Sequence, residues 1–352
     1  MINILCLNEE LRRGGGEEYF VQLINNLHNV DINVHGMTGR GPLSTKINKE
    51  RVEYFEHSYL RKVIQIRRAV KSTYYQSIHV NSFRILLLLV MACLMRIDTP
   101  IIYTKHNYNK LESSWAGRLL YSFILKKYVT KIIVLSRMEQ QKLVEICKLL
   151  PESVDVIHNG VADIPAPRNT EPKKWQVGFL GRISSEKDPF LFIDILTHLI
   201  KIRPTIRAVV AGDGPLLDDV REYAQTQGVY QNVDFLGWVT NPFNILSDIE
   251  LLAVTSHREQ LPISVLQSMA VGTPVMSVNV GALNEVIRYG IDGLVLSHRN
   301  PGEFAMEIAK VLEDKHLLKT MGRNCRNRVE QAFTEEHMLD KFRELVCLVI
   351  DE

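Results

Sequence analysis

The chemistry-bearing residues fall into three groups, and each lies where an apolar run gives way to a turn. In Gly178-Phe179-Leu180-Gly181-Arg182-Ile183-Ser184-Ser185-Glu186-Lys187-Asp188-Pro189 two cations stand five residues apart just after a strand-like segment. Arg offers a fork of donors and Lys a point charge, and the two so placed suit a diphosphate. The bland alternative is a pair of solvated surface cations. The densest group is Thr255-Ser256-His257-Arg258-Glu259-Gln260-Leu261-Pro262, followed by a helix expected over Pro262 to Val271 and closed by Gly272-Thr273-Pro274. The first amides of that helix, at Ile263 and Ser264, would be open to a phosphate. Glu259 just ahead of it can accept from sugar hydroxyls, or simply complement the helix dipole for at most about 1 kcal/mol. Gln267 projects from about one turn inside. The third group is Arg12-Arg13-Gly14-Gly15-Gly16-Glu17-Glu18-Tyr19-Phe20, where glycines let backbone approach a ligand at the start of a helix. An ordinary βα turn has the same composition. The spacing is not the Gly-x-Gly-x-x-Gly of nicotinamide enzymes, which argues against a dehydrogenase.

These groups need elements to position them. Short apolar runs alternate with longer amphipathic segments, the pattern of parallel sheets covered by helices. Strands are expected at Ile2 to Leu7, Asn33 to His35, Ile78 to Val80, Ile101 to Thr104, Lys131 to Leu135 and Val154 to Ile157. A second set is expected at Gln176 to Leu180, Arg207 to Ala211, Val233 to Leu236, Glu250 to Val254, Pro274 to Val278 and Gly293 to Leu296. The fold class is therefore α/β, with two doubly wound Rossmann-like domains facing a cleft. The expected divisions are 1–160, a proline-bearing linker at 161–174, a second domain at 175–334, and a C-terminal helix at 335–352 packing back on the first domain. Ligands of open α/β sheets bind outside the carboxyl ends of the strands, where all three groups lie.

The length of 352 residues fits two domains, and 46% apolar with 23% charged residues excludes disorder, collagen-like repeats and long coiled coils. The formal charge of +2 hides an asymmetry. Residues 1–150 carry 22 basic and 12 acidic side chains, and the remainder 20 and 28. The basic half can face phosphate or an anionic surface. Basic residues Arg61, Lys62, Arg67, Arg68 and Lys71 interleave with Leu60, Val63, Ile64 and Val70, and Arg118, Lys126 and Lys127 with Trp115, Leu119, Tyr121, Phe123 and Ile124. Such segments can lie on anionic lipid, or present a solvated cationic face on a packed helix. No recognised RNA or DNA module accompanies the charge, so nucleic acid is not an expected partner. The longest apolar run, Ile85 to Met95, is about half of what spans a bilayer and reads as a buried helix. Five scattered cysteines without Cys-x-x-Cys spacing form neither a zinc site nor a disulfide framework, and the apolar start lacks the features of a signal peptide. A cytoplasmic protein, peripheral on the inner face of the membrane, is the expectation.

Taken in order, these residues resemble glycosyltransferase family 4 (group 1), retaining nucleotide-sugar-dependent enzymes of the GT-B fold. The resemblance spans nearly the whole chain. It rests on Gly14-Gly15-Gly16-Glu17, Gly181-Arg182 to Lys187, Ala211-Gly212-Asp213-Gly214-Pro215, Phe235-Leu236-Gly237, the Glu259 segment, and Gly281-Ala282 to Glu285 with Asp292-Gly293-Leu294. It implies that Arg182 and Lys187 neutralise the diphosphate of a UDP- or GDP-sugar donor, that Glu259 holds the sugar hydroxyls, and that Gly15 and Gly16 let the first-domain loop close over the donor. Trp238 and Val239 are then the rim of the base pocket, with Gly181, Pro262, Ile263, Ser264 and Gln267 further donor contacts. His106, in Tyr103-Thr104-Lys105-His106-Asn107, matches the family's histidine near the transferred sugar; a lone histidine without that match is more often structural.

Two positions depart from the family pattern. Gln267 stands seven intervening residues after Glu259 where a second Glu is usual, and Gln lacks the charge that meets the ribose hydroxyls. Asn107 stands where Asp is frequent. No Asp-x-Asp or histidine cluster offers a metal site, so a metal-independent transfer of a hexose to a saccharide or lipid-linked acceptor, in cell-surface polysaccharide synthesis, is expected. A non-catalytic sugar-nucleotide-binding protein, a nucleotide-sugar epimerase and a sugar phosphorylase are the alternatives.

Overall fold

A computed structural model describes residues 1–28, 31–94, 96–166 and 172–351. The chain divides into two compact units, Met1–Gly160 with Glu335–Glu352, and Val161–Thr334.

The first unit holds strands β1 (Ile2–Leu7), β2 (Ile32–Thr38), β3 (Val52–Tyr54), β4 (Ser77–Val80), β5 (Ile101–Lys105), β6 (Lys131–Val134) and β7 (Val154–Val156). They form one parallel sheet in the order β3-β2-β1-β4-β5-β6-β7. Alternation along β1 sends Leu5 and Leu7 into one core with Ile78, Val80 and the helix Phe83–Ala92, and Ile4 and Cys6 into another on the opposite face. This second core takes Phe20, Leu23 and Ile24 from the helix Gly15–Asn26. It also takes Met338, Phe342, Val346 and Val349 from the helix Glu335–Asp351, so the chain's last helix is built into the first unit. The apolar run at 85–95 is the buried helix Phe83–Ala92; Met95, at its expected end, lies outside the described residues. β3 was not anticipated. It has three residues, pairs among the described residues only with β2 and carries no fully buried side chain, so it leaves no apolar run to read.

The second unit holds β8 (Trp175–Leu180), β9 (Ala208–Ala211), β10 (Val233–Gly237), β11 (Ile249–Val254), β12 (Val275–Val278) and β13 (Gly293–Leu296), in the order β10-β9-β8-β11-β12-β13. All pairings are parallel. The order steps away from β8 in both directions, so the loops after β8 and β11 open side by side at the carboxyl end, where ligands of such sheets bind. The segment expected to be a linker at 161–174 enters the second unit at its first residue. Val161 donates from its amide to the Phe333 carbonyl (2.9 Å) and pairs with Thr334. Near its end Lys173 donates to the Ile249 carbonyl (2.8 Å) and Thr273 (3.2 Å). The prolines that suggested a free tether do not prevent these bonds at the ends. Residues 167–171, including Pro167, lie outside the described residues.

Candidate functional site

In the second unit the loop after β8 begins at Gly181, and the chain enters the helix Pro189–Ile202 through Asp188. Asp188 takes a left-handed backbone (φ 46°) and caps the helix through its carboxylate. Just before that cap, the Lys187 ammonium donates to both oxygens of Glu259, at 2.6 and 2.8 Å. Glu259 is nearly buried, at 7% side-chain exposure against 25% for Lys187, and its Oε1 also accepts from the Ser256 hydroxyl at 2.5 Å. The two loops are joined by backbone as well. Thr255 Oγ1 donates toward the carbonyls of Lys187 (3.0 Å) and Asp188 (2.8 Å), and the His257 amide donates to the Glu186 carbonyl (2.8 Å).

Arg299, in the loop after β13, completes this frame. It pairs with Asp188 and donates to the carbonyls of Thr255 (2.7 Å) and Ser256 (2.9 Å), while His257 Nε2 lies 3.2 Å from Asp188. Gly281 closes over Glu259. At φ 59° its missing side chain leaves room for the Glu259 carbonyl oxygen, 2.0 Å from where a Cβ would stand, and the next amide, Ala282, bonds to the Gln260 carbonyl at 2.8 Å. The loops after β9 and β10 join the same end, with Gly181 bonded to Ala211 (3.1 Å), Ile183 to Asp213 (3.0 Å) and Gly212 to Gly237 (2.7 Å).

Helix Ile263–Ala270 follows Glu259 at once, with Pro262 as its N-cap residue rather than its first helical one. Ile263, Ser264 and Gln267 are half-buried. The first amides of a helix have no partner within it, so this end carries partial positive charge. Arg182 is exposed one residue after Gly181, and around Gly181 nothing lies within 4 Å of a Cβ position. Trp238 is exposed and Val239 half-exposed just beyond β10.

The first unit presents a different arrangement. His106 follows β5 directly, and its Nε2 lies 2.7 Å from Asn81 Oδ1. Asn81 Nδ2 reaches the Gly16 carbonyl (2.7 Å) and Asn8 Oδ1 (3.1 Å), and Asn8 Nδ2 reaches Thr38 Oγ1 (3.1 Å). Thr38, Asn8, Asn81 and His106 end or directly follow β2, β1, β4 and β5, four neighbours in sheet order. Gly16 gives the His106 ring its room, because a Cβ there would lie 3.0 Å from the ring and push it back by a few tenths of an ångström. Tyr19 packs edge-on against that ring (centroids 4.8 Å apart). Burial pushes the His106 and His79 imidazoles down to about 3, so both are neutral at pH 7. Gly15 opens the helix that carries Tyr19.

Lys187 and Glu259 are thus in direct contact, on one loop end with Gly181 and the helix start at Ile263. His106 and Gly16 are in contact in the other unit. The sequence reading missed Ser256, Asp188 and Arg299 in the second unit and Asn8, Thr38 and Asn81 in the first. Among the described residues no group of three or more His, Cys, Asp or Glu could hold a metal ion.

Two family models match adjoining stretches. Residues 13–163 match Glycosyltransferase Family 4 and residues 161–328 match Glycosyl transferases group 1. The chain belongs to the group 1, family 4 glycosyltransferases. The UDP-Gal:alpha-D-GlcNAc-diphosphoundecaprenol alpha-1,3-galactosyltransferase of Escherichia coli is 24% identical over 307 residues, covering 81% of this chain and 79% of that protein. The D-inositol 3-phosphate glycosyltransferase of Segniliparus rotundus is 24% identical over 65% of this chain and 56% of its own length. Among solved structures, Anabaena HepE in complex with UDP-glucose superposes with a TM-score of 0.84 at 20% identity, covering 99% of this chain and all of that one. The sucrose-phosphate synthase of Thermosynechococcus elongatus gives 0.83 at 18% identity with both chains fully covered. The fold of this glycosyltransferase is therefore GT-B, two Rossmann-like α/β domains.

Proposed function

We propose that this glycosyltransferase moves a hexose from a UDP-sugar to a lipid-linked saccharide with retention of anomeric configuration, without a metal ion, in the synthesis of a cell-surface polysaccharide. The observation that carries the reading is the contact of Lys187 with Glu259 beside the amino end of helix Ile263–Ala270. One carboxylate able to hold sugar hydroxyls and one cation able to meet a phosphate are fixed against each other. The donor base and the acceptor class are inferred from relatives: HepE was solved with UDP-glucose, and the name of the E. coli enzyme carries a UDP-Gal donor and a diphosphoundecaprenol-linked acceptor.

In this reaction the bond from the sugar C1 to the diphosphate oxygen loosens toward an oxocarbenium-like state. The acceptor hydroxyl bonds to C1 on the same face, and its proton passes to the departing phosphate. Negative charge grows on the diphosphate, so Arg182, Lys187 and the amides of Ile263 and Ser264 hold the transition state more tightly than the ground state. Gly181 gives the backbone close approach, Pro262 sets the start of the helix, Gln267 meets the ribose, and Trp238 and Val239 border the base. His106, with Gly15 and Gly16 beside it, contacts the transferred sugar.

The acceptor reading is supported by the surface of the first unit. Helix Trp115–Tyr128 exposes Trp115 (76%), Leu119 (54%), Leu120 (51%) and Phe123 (54%) among exposed Arg118, Lys126 and Lys127. Helix Tyr59–Ser72 exposes Tyr59, Leu60 and Ile64 beside Arg61 and Arg68. Apolar side chains ringed by cations suit the anionic face of a membrane, where a lipid-linked acceptor resides. No helix among the described residues is long and apolar enough to cross a membrane.

The test is a transfer assay with UDP- and GDP-hexoses and a lipid-diphosphate saccharide, in chelator, with the product anomer read by NMR. An α-linked product from an α-linked UDP donor is expected. Transfer only from GDP-sugars, an inverted anomer or a strict metal requirement would each overturn that part of the reading.

A further inference from the structure

The hydrogen-bonded row across β2, β1, β4 and β5 fixes where one proton sits. Carbonyl oxygens only accept, so they set the direction of every bond in the row. The Asn81 amide atom 2.7 Å from the Gly16 carbonyl is therefore its nitrogen, and the same nitrogen points to Asn8 Oδ1 at 3.1 Å. Asn8 is oriented the same way, because its nitrogen donates to the Glu10 carbonyl at 2.9 Å. Thr38 can then accept from Asn8 (3.1 Å) while its hydroxyl donates to the Gly39 carbonyl (3.3 Å). With Asn81 locked from both sides, its Oδ1 is what faces His106 Nε2 at 2.7 Å. An amide oxygen cannot donate, so Nε2 must carry the imidazole proton.

The other ring nitrogen is then bare. Nδ1 of His106 is buried and has no hydrogen-bond partner among the described residues. A buried acceptor without a partner is destabilising, and a ligand donor would relieve that cost. Asn8, Thr38 and Asn81 are themselves nearly fully buried, so the row is held by packing as well as by its own bonds. Gly16, having no Cβ, leaves room for the ring, and Tyr19 stands edge-on to it with centroids 4.8 Å apart.

We infer that Asn81 is a positioning residue that holds His106 as its Nε2–H tautomer, so that Nδ1 accepts a hydrogen bond from a hydroxyl of the transferred sugar. The second half rests on the glycosyl-transfer reading given above; the first half does not. A hydroxyl can donate to Nδ1, whereas an ether, a deoxy position or a phosphate oxygen cannot. The row therefore selects for a donor sugar with a free hydroxyl at the position that meets His106.

The experiment is a long-range proton–nitrogen NMR spectrum of the full-length, 15N-labelled protein at pH 7, with His106→Gln used to identify the resonance. A single tautomer protonated at Nε2 and bare at Nδ1 is expected. A proton on Nδ1, or an averaged mixture of the two forms, overturns the inference. Asn81→Ala should convert the single tautomer to a mixture and lower kcat/KM by about tenfold to hundredfold, the scale set by partners that orient metal-bound imidazoles. A variant that keeps both the single tautomer and the full kcat/KM also overturns it. Should Asn81→Ala fail to fold, the spectrum of the unaltered protein decides. Transfer by the unaltered protein is assayed in parallel, so a failure of the glycosyl-transfer reading shows there and not in the spectrum.

Discussion

The Lys187 ammonium spans both carboxylate oxygens of Glu259, at 2.6 and 2.8 Å, across 72 residues of sequence. Two groups proposed to meet different parts of one donor thus neutralise each other. Lys187 keeps one of its three donors for a phosphate. Glu259 keeps little open edge, since Ser256 also bonds to it.

This pairing predicts an opposite effect on two measurements. Glu259→Gln removes the charge that competes with phosphate for Lys187, while the amide remains able to bond. Free UDP should bind several-fold more tightly by calorimetry, and transfer from the sugar nucleotide should fall by about tenfold to a thousandfold. Weaker UDP binding together with unchanged transfer would place Glu259 outside the donor site.

Gln267 lies one turn into helix Ile263–Ala270, half-buried, where the family pattern carries a second acid. Gln267→Glu restores a charged acceptor for ribose hydroxyls, and a hydrogen bond to a charged group is worth about 1.5–3 kcal/mol against about 1 for a neutral one. A several-fold gain in donor affinity is expected. No gain would mean that the ribose is held elsewhere.

The exposed row of helix Trp115–Tyr128 is separable from the donor loops. Replacing Trp115 and Phe123, at 76% and 54% exposure, by Ser should abolish flotation with anionic liposomes, and transfer to a water-soluble acceptor should stay unchanged. Flotation that ignores lipid charge would remove the anionic membrane from the account.

Buried neutral histidines make the first unit sensitive to acid. His79 and His106 are held down to about 3, whereas an unfolded histidine titrates near 6.5. Between these values the unfolded chain binds more protons than the folded one, so stability falls as pH drops through that window. Above about pH 6.5 their contribution is complete. Each such group adds up to about 1.4 kcal/mol per pH unit to the slope, and chemical denaturation from pH 7 to 4 should show a shallower slope in His106→Gln.

Much of this architecture can be read from residue order, for a physical reason. Strands buried on both faces, such as Ile249–Val254 and Val275–Val278, must be largely apolar, and Glu250 and Ser277 are the polar residues within them. Short edge strands such as Val52–Tyr54 escape because little of them is buried. Contacts between loops are a different matter. Nothing in the spacing of Asp188 and Arg299, or of Asn81 and Gly16, tells that they touch, since the sheet order brings them together. One signal was present for the first-unit row: Asn8, Asn81 and His106 are each the first residue after a strand of the parallel sheet, on the side where ligands bind.

The central claim is that Lys187 and Arg182, with the amides at Ile263 and Ser264, stabilise a departing diphosphate. Its most direct measure is the single-turnover rate of transfer by Lys187→Ala and Arg182→Ala at saturating donor, with folding checked by circular dichroism. The account predicts a loss of about 2–4 kcal/mol of barrier stabilisation for each, a fall of roughly thirtyfold to a thousandfold. Folded variants that turn over at near the normal rate would contradict it.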